Sequence, residues 1–268
     1  MRISLQVCTK DRHGELGILL QSLRTQTFKN WDLTILDQSG SPIANCEFLV
    51  KLINRIKMEN HCVNMVHDVN IFGVCDARNK LIKLDYFNNE LVGRIDDDVF
   101  LEQDYLKKLV NVLKQGYDIA SGVTPIAFQP LIKRDLKFVG KKINEKIVDK
   151  TGNITKFGDD CGTGFLQDDV LPTDEFRSCA LMKRKVIDKI NYPNNLSPVG
   201  FREEGFFSTK AINEGFTIGV CTSAIAWHFA SASGGVRYPD YPLKVQSDDA
   251  YFKKWYKKQW KLKQAITK

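Results

Sequence analysis

Between residues 3 and 95 the hydrophobic period of the chain keeps changing, and that alternation restricts the fold more than any other feature. ISLQV at 3–7 alternates apolar and polar positions, the pattern of a half-buried strand. Leu16, Leu19, Leu20 and Leu23 then fall at i, i+3, i+4 and i+7, one face of a helix. WDLTILD at 31–37 reads as a second strand, closed by the turn residues QSGSP. A helical stretch around 46–58, a strand at 61–67, a helix near 73–84 and a strand at 90–95 follow. Strands alternating with helices require right-handed crossovers and build a largely parallel sheet with helices on both faces. The expected class is therefore α/β, a three-layer sandwich around a mostly parallel central sheet. Ligands of such sheets gather beyond the carboxyl ends of the strands.

The second half is less regular. DIASGVTP at 118–125 reads as a strand, and the Lys-rich stretch 126–160 as a loop or insertion. SCALMKRKVIDKI at 178–190 reads as a strand turning into a helix. EEGFFSTKAINEGF at 203–216 reads as a helix stopped by Gly215, and TIGVCTSAIAWHF as a further strand. With 268 residues and 43% apolar composition, one continuous domain over 1–245 has ample material for a core. Residues 246–268 form a C-terminal extension.

Some classes drop out. No window approaches eighteen consecutive apolar residues, so no membrane-spanning helix is expected. MRISLQVCTKD runs directly into a strand pattern without an apolar leader segment, and the seven cysteines contain no CxxC pair. Both point to reduced thiols in a cytoplasmic protein. The formal charge of +7 belongs to the C-terminus. The last eighteen residues hold seven lysines and no acid, which leaves 32 basic against 32 acidic residues in the body.

GRIDDDVFLE at 93–102 places three aspartates at a strand end. Alternate side chains of a strand share a face, so Asp96 and Asp98 are expected to converge while Asp97 points elsewhere. A hard divalent cation, Mg²⁺ or Mn²⁺, would relieve the repulsion between them. On these residues alone the other reading is an acidic turn that caps the following helix.

Four motifs in order bear on that choice: CTKDR (8–12), LRTQTFKNWDLTILDQSGS (23–41), GVCDARNKLI (73–82) and IDDDVFLEQDYL (95–106). In order and spacing they make residues 1–110 resemble the GT-A glycosyltransferases of family 2, whose fold is Rossmann-like. FREEGFFSTKAINEGF and AWHFAS extend the likeness more loosely into an acceptor half at about 111–245.

The resemblance implies an enzyme that uses a nucleotide-diphosphate sugar, with Mn²⁺ or Mg²⁺ bridging Asp98 and the pyrophosphate. Asp96 would assist the metal or hold the donor ribose, and Asp97 belongs to the same donor-binding set. His228 aligns with a histidine that often completes the metal site; the other reading is a satisfied histidine at a strand end. An imidazole ligand favours Mn²⁺. Thr9 and Asp11 match positions that line base and ribose, and Asp37 and Gln38 occupy the place of an acidic pair. Gln38 departs from the usual aspartate, and its amide both donates and accepts, as a uracil edge requires. A UDP-sugar is the leading donor. Arg78 would lie near the base or diphosphate, or else on the helix surface.

Direct displacement at the anomeric carbon also needs a base. Glu203 and Glu204 open a helix whose dipole favours negative charge. By the resemblance Glu204 is the base, with Glu203 as the alternative, and a single displacement inverts the sugar carbon. Lys210 stands where the family usually has an arginine.

The implied acceptor is a hydroxyl of a glycan or a lipid-linked glycan. Residues 157–175 fall where the acceptor pocket is shaped. There Asp159, Asp160, Asp168 and Asp169 either bind sugar hydroxyls or form a solvated loop. Phe252, Trp255, Tyr256 and Trp260 stand among lysines at near-helical spacing. Three readings of 251–264 stay open: peripheral contact with an anionic membrane's inner face, contact with nucleic acid, or a terminal helix packed on the domain. A nucleotidyltransferase is the rival activity, but CTKDRHGE has one glycine where such enzymes carry a Gly-rich loop. A non-catalytic glycan-binding domain is the other rival, opposed by the retention of Asp96, Asp98, Glu204 and His228.

Overall fold

The computed structural model describes residues 1–127, 170–176 and 178–266, with side chains as far as residue 259. Nearly all of the expected loop at 126–160, together with Asp159, Asp160, Asp168, Asp169 and the Trp260 side chain, lies outside the described residues.

The first half follows the sequence periods closely. β1 (Ile3–Thr9), α1 (His13–Arg24), β2 (Trp31–Asp37), α2 (Glu47–Met58), β3 (Val63–His67), α3 (Val74–Lys83) and β4 (Leu91–Asp96) alternate along the chain. β5 (Val99–Leu101), α4 (Tyr105–Lys114) and β6 (Ile119–Val123) come next. After them follow β7 (Val170–Thr173), β8 (Ala180–Lys183) and α5 (Arg184–Ile187). α6 (Glu203–Asn213), β9 (Ile218–His228) and α7 (Tyr241–Ile266) complete the described elements.

The strands make one sheet in the order β3-β2-β1-β4-β8-β6-β9-β5, with β7 also on β9. β1 pairs in parallel with both β2 and β4, and β2 with β3. β8 runs antiparallel between β4 and β6, and β9 is parallel to β6. The sheet is thus mostly parallel, as expected, with β5, β7 and β8 reversed.

Period-two alternation sorts the strand residues between two helical layers. Ile3, Leu5 and Val7 join the buried leucines of α1 and the apolar faces of α2 and α4. Fully burying a leucine contributes about 1.5–3 kcal/mol, so the Leu16–Leu23 face alone anchors α1. Val92, Ala180 and Met182 point the other way, toward α3, α5, α6 and α7. The same alternation puts Val92, Arg94 and Asp96 on one face of β4.

Two other expectations meet the structure directly. Gly215 has φ +85, the N–H of Gly215 bonds the Ile212 carbonyl and that of Phe216 bonds the Ala211 carbonyl, a Schellman stop for α6. Phe252, Trp255 and Tyr256 face inward. Phe252 is fully buried, and its ring and that of Trp255 lie 4.9 and 4.5 Å from the ring of Phe206 in α6. α7 begins at Tyr241, before the expected extension at 246, and packs on the domain. No helix among the described residues is long and apolar enough to cross a membrane.

Candidate active site

β1, β2 and β4 end side by side, and beyond their carboxyl ends opens a cavity of about 330 Å³. Thr9, Gln38 and the three aspartates form its strand-end wall. The opposite wall comes from the loop 199–202, the first turn of α6 and residues 235–241.

The aspartates do not divide as strand alternation requires. β4 stops at Asp96, and Asp97 and Asp98 form a turn before β5, so the period of two ends two residues before Asp98. Asp96 turns toward α3 and α6, where Arg78 Nη2 lies 2.9 Å and Arg94 Nη2 3.6 Å from its Oδ1. Asp97 and Asp98 instead share Arg12, whose Nη1 is 3.0 Å from a carboxylate oxygen of each. Thr9 Oγ1 donates to Asp97 at 2.8 Å. Register brings in His228: Val99 of β5 pairs with it across β9, and its Nε2 lies 3.2 Å from Asp98 Oδ1.

The expected trio Asp96, Asp98 and His228 is thereby reduced to Asp98 and His228. Among the described residues no three His, Cys, Asp or Glu side chains gather as a metal site. One carboxylate oxygen and one imidazole nitrogen are nevertheless a donor pair that suits Mn²⁺, with other positions left for ligand oxygens. Burial works against a charged imidazole, yet the bond to Asp98 outweighs it and raises the proton affinity of His228. Burial, reinforced by neighbouring Asp98, pushes the Asp97 carboxyl up to about 6 despite Arg12.

On the opposite side lies a buried arginine–carboxylate cluster. Arg78 Nε is 2.9 Å from Glu203 Oε1, while Arg94 Nη2 is 2.8 Å from the Oε1 atoms of both Glu203 and Glu204. Two arginines thus serve three carboxylates, and the environment splits the glutamates. Burial pushes Glu203 up to about 7, with Glu204 adding to the push. Burial acts on Glu204 as well, but Arg94 and Arg78 hold it below the usual carboxylate range. The Glu203 side chain is 5% exposed and that of Glu204 21%, so Glu204 is the carboxylate a ligand can reach.

Other expected site residues are placed elsewhere. Both Asp37 oxygens accept backbone N–H groups, from Ser39 at 2.9 Å and Ile43 at 2.7 Å, which folds the loop after β2. Asp11, at φ +53, accepts the Gly40 N–H at 2.9 Å. Neither lines the cavity. Arg78 is buried rather than on the helix surface. Lys210 donates to the Asn191 carbonyl at 3.1 Å, away from the cavity.

Residues that sequence reasoning passed over are chiefly cations. Arg12 lies within CTKDR, where nothing local marks it as the partner of Asp97 and Asp98. Arg94 carried a readable signal: an arginine within LVGRI, a strand otherwise apolar, must meet carboxylates when buried. The role of α7 had none. Its Asp248 carboxylate accepts Ser197 N and Oγ at 2.8 Å and Phe201 N at 3.0 Å, clasping the loop that leads to Glu203.

A sequence model described as Glycosyl transferase family 2 matches residues 4–191. No curated protein sequence matches the chain. Among solved structures, GalNAc-T7 with UDP, GalNAc and Mn²⁺ is similar at a TM-score of 0.66 and 12% identity, over 89% of this chain and 45% of that one. Mannosyltransferase PcManGT from Pyrobaculum calidifontis, in complex with GDP-Man and Mn²⁺, gives 0.58 and 14%, over 86% and 57%. S. aureus TarS gives 0.56 and 15%, over 87% and 37%. The chain spans less than two thirds of each of these proteins, and at such identities the likeness is one of fold. The family match ends before Glu203, Glu204 and His228, so these three enter the site on geometry.

Proposed function

The chain belongs to glycosyl transferase family 2, and on that premise we propose that it moves a sugar from a nucleotide-diphosphate sugar to a hydroxyl of a glycan or lipid-linked acceptor. The observation that carries this reading is the two-sided cavity, with Asp98 and His228 on the strand-end wall and Glu204 on the helix wall. Thr9 and Gln38 stand where the nucleotide of the donor would lie. UDP is the leading base assignment.

A leaving diphosphate gains charge as the anomeric bond breaks, and that charge has to be met. Asp98 and His228 would hold a divalent ion, Mn²⁺ ahead of Mg²⁺, which supplies Lewis-acid neutralisation of the diphosphate when bound. Glu204 takes the proton of the acceptor hydroxyl as its oxygen attacks the anomeric carbon. The new C–O bond forms on one face, and the bond to the diphosphate oxygen breaks on the other with its electron pair. One displacement inverts the carbon. Glu203, with both its arginines, supports the cluster.

Any contact of α7 with an anionic surface falls to its lysines, because Phe252, Trp255 and Tyr256 pack against the domain. Lys254 and Lys258 are exposed on that helix. Such a contact would keep the protein at the inner face of a membrane, close to lipid-linked acceptors.

The test is thermal unfolding with UDP, GDP, CDP and dTDP, each with Mn²⁺ or with EDTA. Ligand at a hundred times its dissociation constant stabilises a fold by about 2.7 kcal/mol. The expected result is a Mn²⁺-dependent rise with one nucleotide that disappears in Asp98→Ala. No rise with any nucleotide overturns the reading.

A further inference from the structure

An arginine in a sheet strand loses most of its hydration on folding, so its charge has to be matched and its fork placed. Arg94 is 4% exposed and lies on the same face of β4 as Asp96. Arg78 already answers Asp96 and Glu203 at 2.9 Å each. Glu204 has a single ion-pair partner among the described residues, and it is Arg94 Nη2, at 2.8 Å from Oε1. The rest of the guanidinium makes no hydrogen bond among the described residues: Nε and Nη1 are buried without a partner there. Its Cζ instead sits 5.7 Å from the centroid of the Phe176 ring and 5.8 Å from that of Tyr192. The guanidinium is thus flanked by two rings and directs Nη2 to the two glutamates.

α6 supplies no comparable restraint. It is entered from Arg202 at φ +71, with no capping side chain. Helix geometry places the Glu204 Cα but leaves a flexible three-bond side chain to be aimed. Arg94 takes Oε1, while Oε2 has no partner among the described residues.

We infer that Arg94 is a positioning residue for Glu204: from the sheet it pins one carboxylate oxygen and presents the other to the acceptor hydroxyl. This rests on the reading of Glu204 as the base. It also accounts for an arginine on β4, since β4 leads through Asp96 into the turn that carries Asp97 and Asp98. The strand and that short turn then fix the spacing between the diphosphate side and the base side of the cavity. The lowered proton affinity of Glu204 keeps it ionised at neutral pH, ready to accept.

The experiment compares parent, Arg94→Lys, Glu203→Gln and the pair Arg94→Met with Glu203→Gln. The pair removes a cation and an anion together, so that the buried charge stays balanced and the fold survives. The readout is release of nucleoside diphosphate from UDP-, GDP-, CDP- and dTDP-sugars with Mn²⁺, water serving as acceptor, and thermal unfolding checks the fold. Relative to Glu203→Gln, the pair is expected to lose about 10²-fold in kcat, the scale of a misplaced catalytic group, with donor KM within about twofold. Arg94→Lys, which keeps the charge but not the fork, recovers part of the loss. A folded pair with kcat within about threefold of Glu203→Gln, or with kcat and donor KM failing together, overturns the positioning role. A parent that releases nothing from any donor overturns the transferase reading itself and the Arg94 role with it. Turnover by the parent with indifferent variants overturns only the latter.

Discussion

The two walls of the cavity are built by different physics. On the strand-end side, Thr9, Gln38, Asp97 and Asp98 leave strands locked into register by parallel pairing, with β1 bonded to a neighbour on each side. On the helix side, the loop 197–202 has no ladder to hold it and passes through Gly200 at φ +65 and Arg202 at φ +71. A non-glycine residue in that region costs about 1–3 kcal/mol unless its surroundings hold it. Here they do. Asp248 takes three hydrogen bonds from the loop, and Asp249 pairs with Arg202 Nε at 2.8 Å. Pro198 presses on the start of α3, where a side chain on Gly73 would meet its backbone at 2.4 Å. One wall therefore comes ready-made with the sheet, while the other depends on a helix from the far end of the chain. α7 is therefore a part of the site.

The largest effect is expected from the strand-end wall. Asp98→Ala should cut turnover by at least about 10²–10³-fold, as loss of a charge-stabilising group does, while the melting temperature stays close to that of the parent. Near-normal rates of sugar-nucleotide cleavage in that variant would remove Asp98 from the mechanism.

Glu204→Gln tests the opposite wall, with an expected loss of about 10²-fold in kcat and intact binding of nucleoside diphosphate by calorimetry. If nucleotide binding fell as well, the two walls would not be separable.

Paired substitutions sharpen the contrast further. Asp248→Ala should lower stability by about 1–3 kcal/mol and depress kcat, because the loop before Glu204 loses its clasp. Asp37→Ala removes two backbone bonds from the loop after β2 and should raise donor KM instead. Kinetics showing the same parameter changed in both variants would mean that the two loops do not serve separate walls.

The smallest effect is a pH dependence. Glu203 titrates near 7 in the fold against an ordinary glutamate range when unfolded, so the folded state holds its proton more tightly. Its contribution favours the fold at low pH and is lost as pH rises through about 7. Glu203→Gln should therefore gain melting temperature relative to the parent between pH 5 and pH 8. A constant difference across that range would mean that Glu203 is ionised throughout.

How much of this was legible in the sequence depends on the range of the interaction involved. Period alone placed β2 at Trp31–Asp37, and Gly215 marked the stop of α6, because both signals are written in neighbouring residues. The three-residue β5 is too short to show a period, yet it is the strand whose pairing brings His228 to Asp98. The aspartate run is visible in the sequence, but its geometry is not. Where β4 ends decides whether alternation carries Asp98 toward Asp96, and that end is set by pairing with β1 and β8.

The chain by itself determined the α/β class and the gathering of carboxylates at the strand ends. These follow from local period and residue type. Only the tertiary structure decided which cation meets which carboxylate: Arg12 with Asp97 and Asp98, Arg78 with Asp96, Arg94 with Glu204. An ion pair between residues 110 positions apart, such as Arg94 and Glu204, leaves no trace in local pattern. It exists because a parallel strand and a later helix are packed face to face.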